Sequence, residues 1–118
     1  MAINGKQIDE KVALEALNGN RQLLCDLAIM FVEDSPVLLE DLAVAIDNKE
    51  VEKARRLLHT LRGLSSTFYA RPTIELALRL EHETSQGSLA TLKNGGVDQL
   101  KAAIENLAKE LRTSGFVS

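Results

Sequence analysis

The chain has 118 residues, a formal net charge of −3, 45% hydrophobic and 26% charged residues, a single cysteine, three Phe, one Tyr and no Trp. That is enough chain for one domain (residues 1–118) with a real core. The acidic balance argues against a nucleic-acid-binding surface, which needs a basic face and aromatic stacking platforms. Cys25 cannot form an internal disulfide, no run approaches the ~18 apolar residues of a membrane span, and "MAINGKQIDE" lacks a signal-peptide pattern.

The first element, "IDEKVALEAL" (8–17), reads as a short helix stopped by Asn18-Gly19, with Asn20 placed to cap the next one. From Arg21 to about Ile46 runs a strongly apolar helical pattern, "LLCDLAIMFV" then "VLLEDLAVAI". Pro36 interrupts it and predicts a kink, or a break with "DSP" capping a new segment. Asp47 or Asn48 is expected to cap the third helix. Pro72 belongs in the first turn of "PTIELALRLEHETSQ", which should stop at Gly87. "SLATLKNGG" adds one helical turn at most. The last helix, Val97 to about Arg112, places apolar residues at 97, 100, 103, 104, 107, 108 and 111 before Gly115. No segment alternates with a period of two. The expected fold is all-α: an antiparallel four-helix bundle with a short N-terminal lid helix.

The third helix contains "LLHTLRGLSSTF" (57–68), with one of only two histidines in the chain. At ~100° per residue, Ala54, Leu57, Leu58, Leu61, Leu64 and Phe68 form one apolar stripe. Its centre lies roughly 160–180° from His59. The opposite face holds Glu52, Arg55, Arg56, His59, Arg62, Gly63 and Ser66. A polar face can carry a histidine by chance. Gly63, one turn on, costs a helix interior ~1 kcal/mol relative to Ala, which makes sense if something must approach closely there. Arg55, Arg56 and Arg62 surround the imidazole with charge that favours a phosphoryl group. Together these features point to a histidine that meets an anion on a docking partner.

"HTLRGLSSTFYA" resembles the signature of histidine-containing phosphotransfer domains, H-x-L-K-G followed by small residues, an apolar residue and Gly-Ala. His59, Leu61, Gly63, Ser65, Ser66, Phe68 and Ala70 match; Arg62 stands for the usual Lys and Tyr69 where the family commonly has Gly. "LCDLAIMFVEDSPVLLEDLAVAI" resembles the family's second helix, and "IELALRLEHE" the helix that follows the histidine. The resemblance implies a four-helix bundle whose exposed His59 takes a phosphoryl group from a receiver-domain aspartate and passes it to another. A neutral imidazole, of ordinary pKa about 6.5, is a competent nucleophile near pH 7. Attack from Nε2 requires the proton to sit on Nδ1, held there by an acceptor; the position matching the family's Glu or Gln is Glu81. Arg62 would neutralise phosphoryl oxygens, Gly63 would leave room for the receiver's loops, and Ser66 is either a hydrogen-bonding neighbour or a small spacer.

The resemblance implies no metal or cofactor of the chain's own, with Mg²⁺ expected on the partner receiver. The chain shows no Gly-rich phosphate loop and no spaced metal-ligand set; His82, between Glu81 and Glu83, is expected on the surface, and Cys25 in the core. By analogy with the family, Asp34, Ser35 and Leu38 on the second helix join Arg55, Arg56, Gly63 and Ser66 in facing the partner, through a small and readily released interface. The start at Met1 and the lack of other domains suggest a stand-alone transmitter, a fragment of a larger hybrid kinase being the alternative. The single cysteine and the lack of a span or signal pattern make the cytoplasm the expected location. A monomer is expected, with receivers of response regulators or hybrid kinases as partners. Two other readings compete: a binding-only adaptor or decoy that docks receivers without carrying phosphate, and a sensor-kinase dimerisation domain. The intact His59, Arg62 and Gly63 weigh against the first, and a single chain with enough helices weighs against the second.

Overall fold

A computed structural model describes residues 7–117; the beginning of the stretch read above for a targeting pattern lies outside them. Among the described residues, every regular element is helical: α1 (Glu10–Ala16), α2 (Arg21–Asp47), α3 (Val51–Ser66), α4 (Arg71–Ser85) and α5 (Val97–Thr113), with a distorted helical turn at Leu92–Gly96. No helix among the described residues is long and apolar enough to cross a membrane.

Local chemistry accounts for most boundaries. Asp9 caps α1 by accepting from Val12 N–H, and Asn18 and Gly19 end that helix at positive φ. The Asn20 side chain accepts from Leu23 N–H at the start of α2, as expected of an N-cap. Pro72 sits in the first turn of α4, where its missing N–H costs nothing; Gly87 and Gly115 follow α4 and α5 at positive φ.

Of the two alternatives at Pro36, the break does not occur: helix α2 runs unbroken through the proline rather than restarting at "DSP". The proline removes the bond to the Val32 carbonyl, but Leu24, Ala28, Phe31, Ser35, Leu39, Leu42, Ala45 and Ile46 form one continuous buried row across it. That row outweighs a local penalty of ~3 kcal/mol, because breaking the helix would expose half of it. Pro36 and Val32 line a groove beside α5. Nor does Asp47 or Asn48 cap α3. Asp47 is the last residue of α2, Asn48 closes it, Lys49 turns the chain at φ +59°, and Glu50 precedes α3 without a capping side-chain bond.

Helix α3 lies between α2 and α4, and α5 packs against the same two helices, so the four long helices enclose one Leu-rich core. The N-terminal segment ties one end together. Asp9 N–H donates to Phe68 O just past α3, Thr73 at the start of α4 donates to the Gln7 side chain, and Gln7 Nε2 reaches Ala103 O on α5. Glu110 accepts from the Gln7 N–H at 2.8 Å. Arg21, the first residue of α2, stacks 4.6 Å over the Phe116 ring beyond α5. The starts of α2 and α4 therefore meet the ends of α3 and α5. Phe68 lies past the end of α3 rather than on its helical stripe, yet it is buried edge-on against Phe31, centroids 5.7 Å apart.

Candidate functional site

The site is built from one turn of α3 and one residue of α4. Leu58 and Leu61 are fully buried and fix the roll of α3, which turns His59 outward along the edge beside α4. On α4, the buried Ala77, Leu80 and Thr84 leave Glu81 facing that edge. The imidazole is 62% exposed and the Glu81 carboxylate only 13%.

The carboxylate is fully engaged. Glu81 Oε2 lies 3.0 Å from His59 Nδ1, and Oε1 accepts from Arg62 Nε at 2.8 Å. Arg62 Nη2 lies 2.9 Å from the same Nδ1. Partial burial pushes the Glu81 carboxyl up. Hydrogen bonds from Arg62 and His59, with the charge of both, outweigh that and leave it below the ordinary carboxylate range. Among the described residues, both polar contacts of the ring are made at Nδ1, so Nε2 is the nitrogen presented to solvent.

The other expected residues divide. Gly63 is exposed, and a Cβ built on it meets nothing within 4 Å, so nothing inside the chain requires a glycine there. Arg56 is exposed and half-exposed Arg55 is committed to Glu52, Nε to Oε2 at 2.9 Å, which holds the Glu52 carboxyl below its ordinary value. Ser66 donates its hydroxyl to Arg62 O at 2.8 Å, so its polar atom serves the helix backbone under the arginine. On α2, Asp34 is exposed and Leu38 half-buried against the core. Ser35 is not on the surface. It is 2% exposed and belongs to the buried row of α2, because an unbroken helix keeps Phe31, Ser35 and Leu39 on one face.

Sequence reasoning overlooked a different set on α2. Leu23, Met30, Val37 and Val44 are all exposed, Val37 at 58%. Seven-residue spacing puts them in one stripe with Asp34 and Asp41 between them, a pattern legible in the sequence once α2 is taken as one helix. Leu78, half-exposed one turn before Glu81, adds an apolar side chain on α4.

His82 is exposed, and its ring contacts only Gln86 among the described residues. Cys25 is half-buried against the core. Among the described residues, no group of three or more His, Cys, Asp and Glu side chains could hold a metal ion. Both oxygens of Glu81 face ring or guanidinium nitrogens: Oε1 accepts from Arg62 Nε, and Oε2 lies against His59 Nδ1.

Tyr69 departs from the family pattern with a structural consequence. It takes the left-handed conformation, φ +52°, as α3 ends, with Ala70 N–H reaching back to Ser65 O. This is the helix exit that glycine serves best. The chain keeps it with an aromatic residue, at a strain on the order of 1–2 kcal/mol.

Comparisons with curated proteins and with solved structures found no match. Among protein families, the Hpt domain matches residues 26–110, a span that covers α3, α4 and most of α2 and α5. With that match over most of its length, and with the histidine, arginine and glycine of the motif on one exposed face, the chain belongs to the Hpt domain family.

Proposed function

We propose that this chain is a cytoplasmic, monomeric relay intermediate, as befits a family of phosphocarriers that work with receiver domains in two-component phosphorelays. In this reading its four long helices form the family's antiparallel bundle, α1 serves as a lid, and His59 is the phosphoacceptor. The observation that carries the proposal is the ring itself: exposed, with Nε2 outward and Nδ1 against the Glu81 carboxylate. The meeting of the α2 and α4 starts with the α3 and α5 ends supports the antiparallel order.

The chemistry follows from those atoms. With the proton on Nδ1, the Nε2 lone pair attacks the phosphorus of a receiver's aspartyl phosphate. The N–P bond forms as the acyl P–O bond breaks, and that bond pair leaves on the receiver's carboxylate. The ring then carries positive charge with Nδ1–H still donating to Glu81, which offsets it. Arg62 lies within reach of phosphoryl oxygens, and the bare backbone at Gly63 gives the receiver's loops access. Transfer to a second aspartate is the reverse of the same step. The Mg²⁺ that aids phosphoryl transfer is assigned to the receiver, and the chain contributes no cofactor. Asp34, Leu38, Arg55, Arg56 and the α2 apolar stripe are assigned to the docking surface.

Receiver domains of the source organism, phosphorylated with radiolabelled acetyl phosphate, should pass label to this chain in an acid-labile, alkali-stable form. His59→Gln should abolish the label while leaving the helical circular-dichroism signal and the unfolding midpoint unchanged. Binding of phosphorylated receivers without any label on the chain would assign it to the binding-only class.

A further inference from the structure

His59 Nδ1 is addressed by two groups with incompatible demands. Guanidinium nitrogens only donate hydrogen bonds, and an ionised carboxylate only accepts them. Glu81 Oε2, 3.0 Å away, asks Nδ1 to carry a proton; Arg62 Nη2, 2.9 Å away, asks it to offer a lone pair. A neutral ring satisfies one of them at a time. With the proton on Nδ1, the Glu81 bond forms and Nε2 has its lone pair free. With the proton on Nε2, the Arg62 bond forms and the exposed nitrogen has no lone pair with which to attack.

We propose that Arg62 is a positioning residue that holds part of the resting protein in the idle Nε2–H tautomer, and that an incoming phosphoryl group releases His59 by drawing Arg62 Nη2 onto its own oxygens. The inference rests on the phosphocarrier reading for its purpose, but the tautomer competition exists in the free protein. Two features make Arg62 suited to it. Its Nε is anchored on Glu81 Oε1 at 2.8 Å, so Nη2 is set over Nδ1 by a planar, rigid fork. It also lies on α3 one turn after the histidine, buttressed through its own carbonyl by Ser66. A lysine has one ammonium on a flexible stem and lacks the planar fork that holds one nitrogen on Glu81 and sets another over Nδ1. The arginine that replaces the common lysine of the motif thus gains a second role: it keeps the nucleophile idle until an anion arrives.

The ¹⁵N resonances of a histidine-labelled protein, read at a pH where the ring is neutral, distinguish the tautomers because a protonated and an unprotonated ring nitrogen resonate far apart. In wild-type protein His59 should show substantial Nε2–H population. Arg62→Lys should move the ratio toward Nδ1–H by at least about threefold, the screened share of one charged hydrogen bond at an exposed ring. Adding a phosphorylated receiver held unreactive by a non-hydrolysable phosphoryl mimic should move the wild-type ratio the same way and leave Arg62→Lys where it is. A wild-type ring already wholly in the Nδ1–H form, or a ratio unmoved by Arg62→Lys, overturns the proposal. Label transfer to His59 despite that result leaves the phosphocarrier reading intact; a tautomer shift without label transfer refutes that reading alone.

Discussion

Gly63 and Gly96 are both helical glycines, and they have opposite reasons to exist. At Gly96, where the Leu92–Gly96 turn enters α5, a Cβ would stand 2.7 Å from Thr91 O and 2.9 Å from Leu80 Cδ2. The glycine lets backbone and core approach each other, and the fold itself benefits. At Gly63 nothing lies within 4 Å, and the fold gains nothing for the helix stability it gives up. Gly63 is on the face of α3 with His59 and Arg62, whereas Gly96 faces α4 through Leu80. In the proposed docking role, a residue that weakens its own helix without an internal benefit is accounted for by a surface shaped for another molecule.

The contrast predicts opposite signs for one substitution. Gly96→Ala should have the larger effect, lowering stability by about 1–3 kcal/mol through overpacking against a carbonyl that cannot move aside. Urea denaturation measures it, and an unchanged midpoint would remove Gly96 from the comparison. Gly63→Ala should raise stability by about 0.5–1 kcal/mol while slowing label transfer from a phosphorylated receiver. Should the stabilised protein accept phosphate at the wild-type rate, the open backbone would have no function in docking. The smallest effect concerns Glu81. Its folded carboxyl titrates below the ordinary value, so its contribution to stability is present above the unfolded pKa of about 4.3 and fades as the pH falls through the folded value. The stability difference between wild type and Glu81→Gln, followed by urea midpoints from pH 7 downward, should therefore shrink in acid. A difference that grows in acid would show that the Arg62 and His59 contacts do not hold this carboxylate charged.

How far the sequence can be read depends on how local the signal is. Asn18-Gly19, Asn20, Pro72, Gly87 and Gly115 are read correctly because caps and stops act within a few residues. At Pro36 the sequence leaves a kink and a break open for the same reason: the penalty is local, while the buried row from Leu24 to Ile46 that keeps α2 in one piece is not. Family analogy alone assigns Ser35 to the partner-facing surface; the continuous helix places it in the core with Phe31 and Leu39. At the candidate site, His59, Arg62 and Gly63 stand on one helix and their shared polar face is visible from spacing alone. Glu81 lies on another helix and is reachable from the sequence only through the family resemblance.

The sequence by itself determined that the chain is helical, where most of its helices start and stop, and that α3 turns an imidazole away from its apolar stripe, because period and capping are properties of short segments. Only the tertiary structure decided the register of α4 against α3 that puts Glu81 beside Nδ1, the rival claim of Arg62 on that nitrogen, and the empty space over Gly63. Those depend on how Leu58 and Leu61 share the core with Ala77 and Leu80, and side chains from distant segments fix the register only when they fill one interior together.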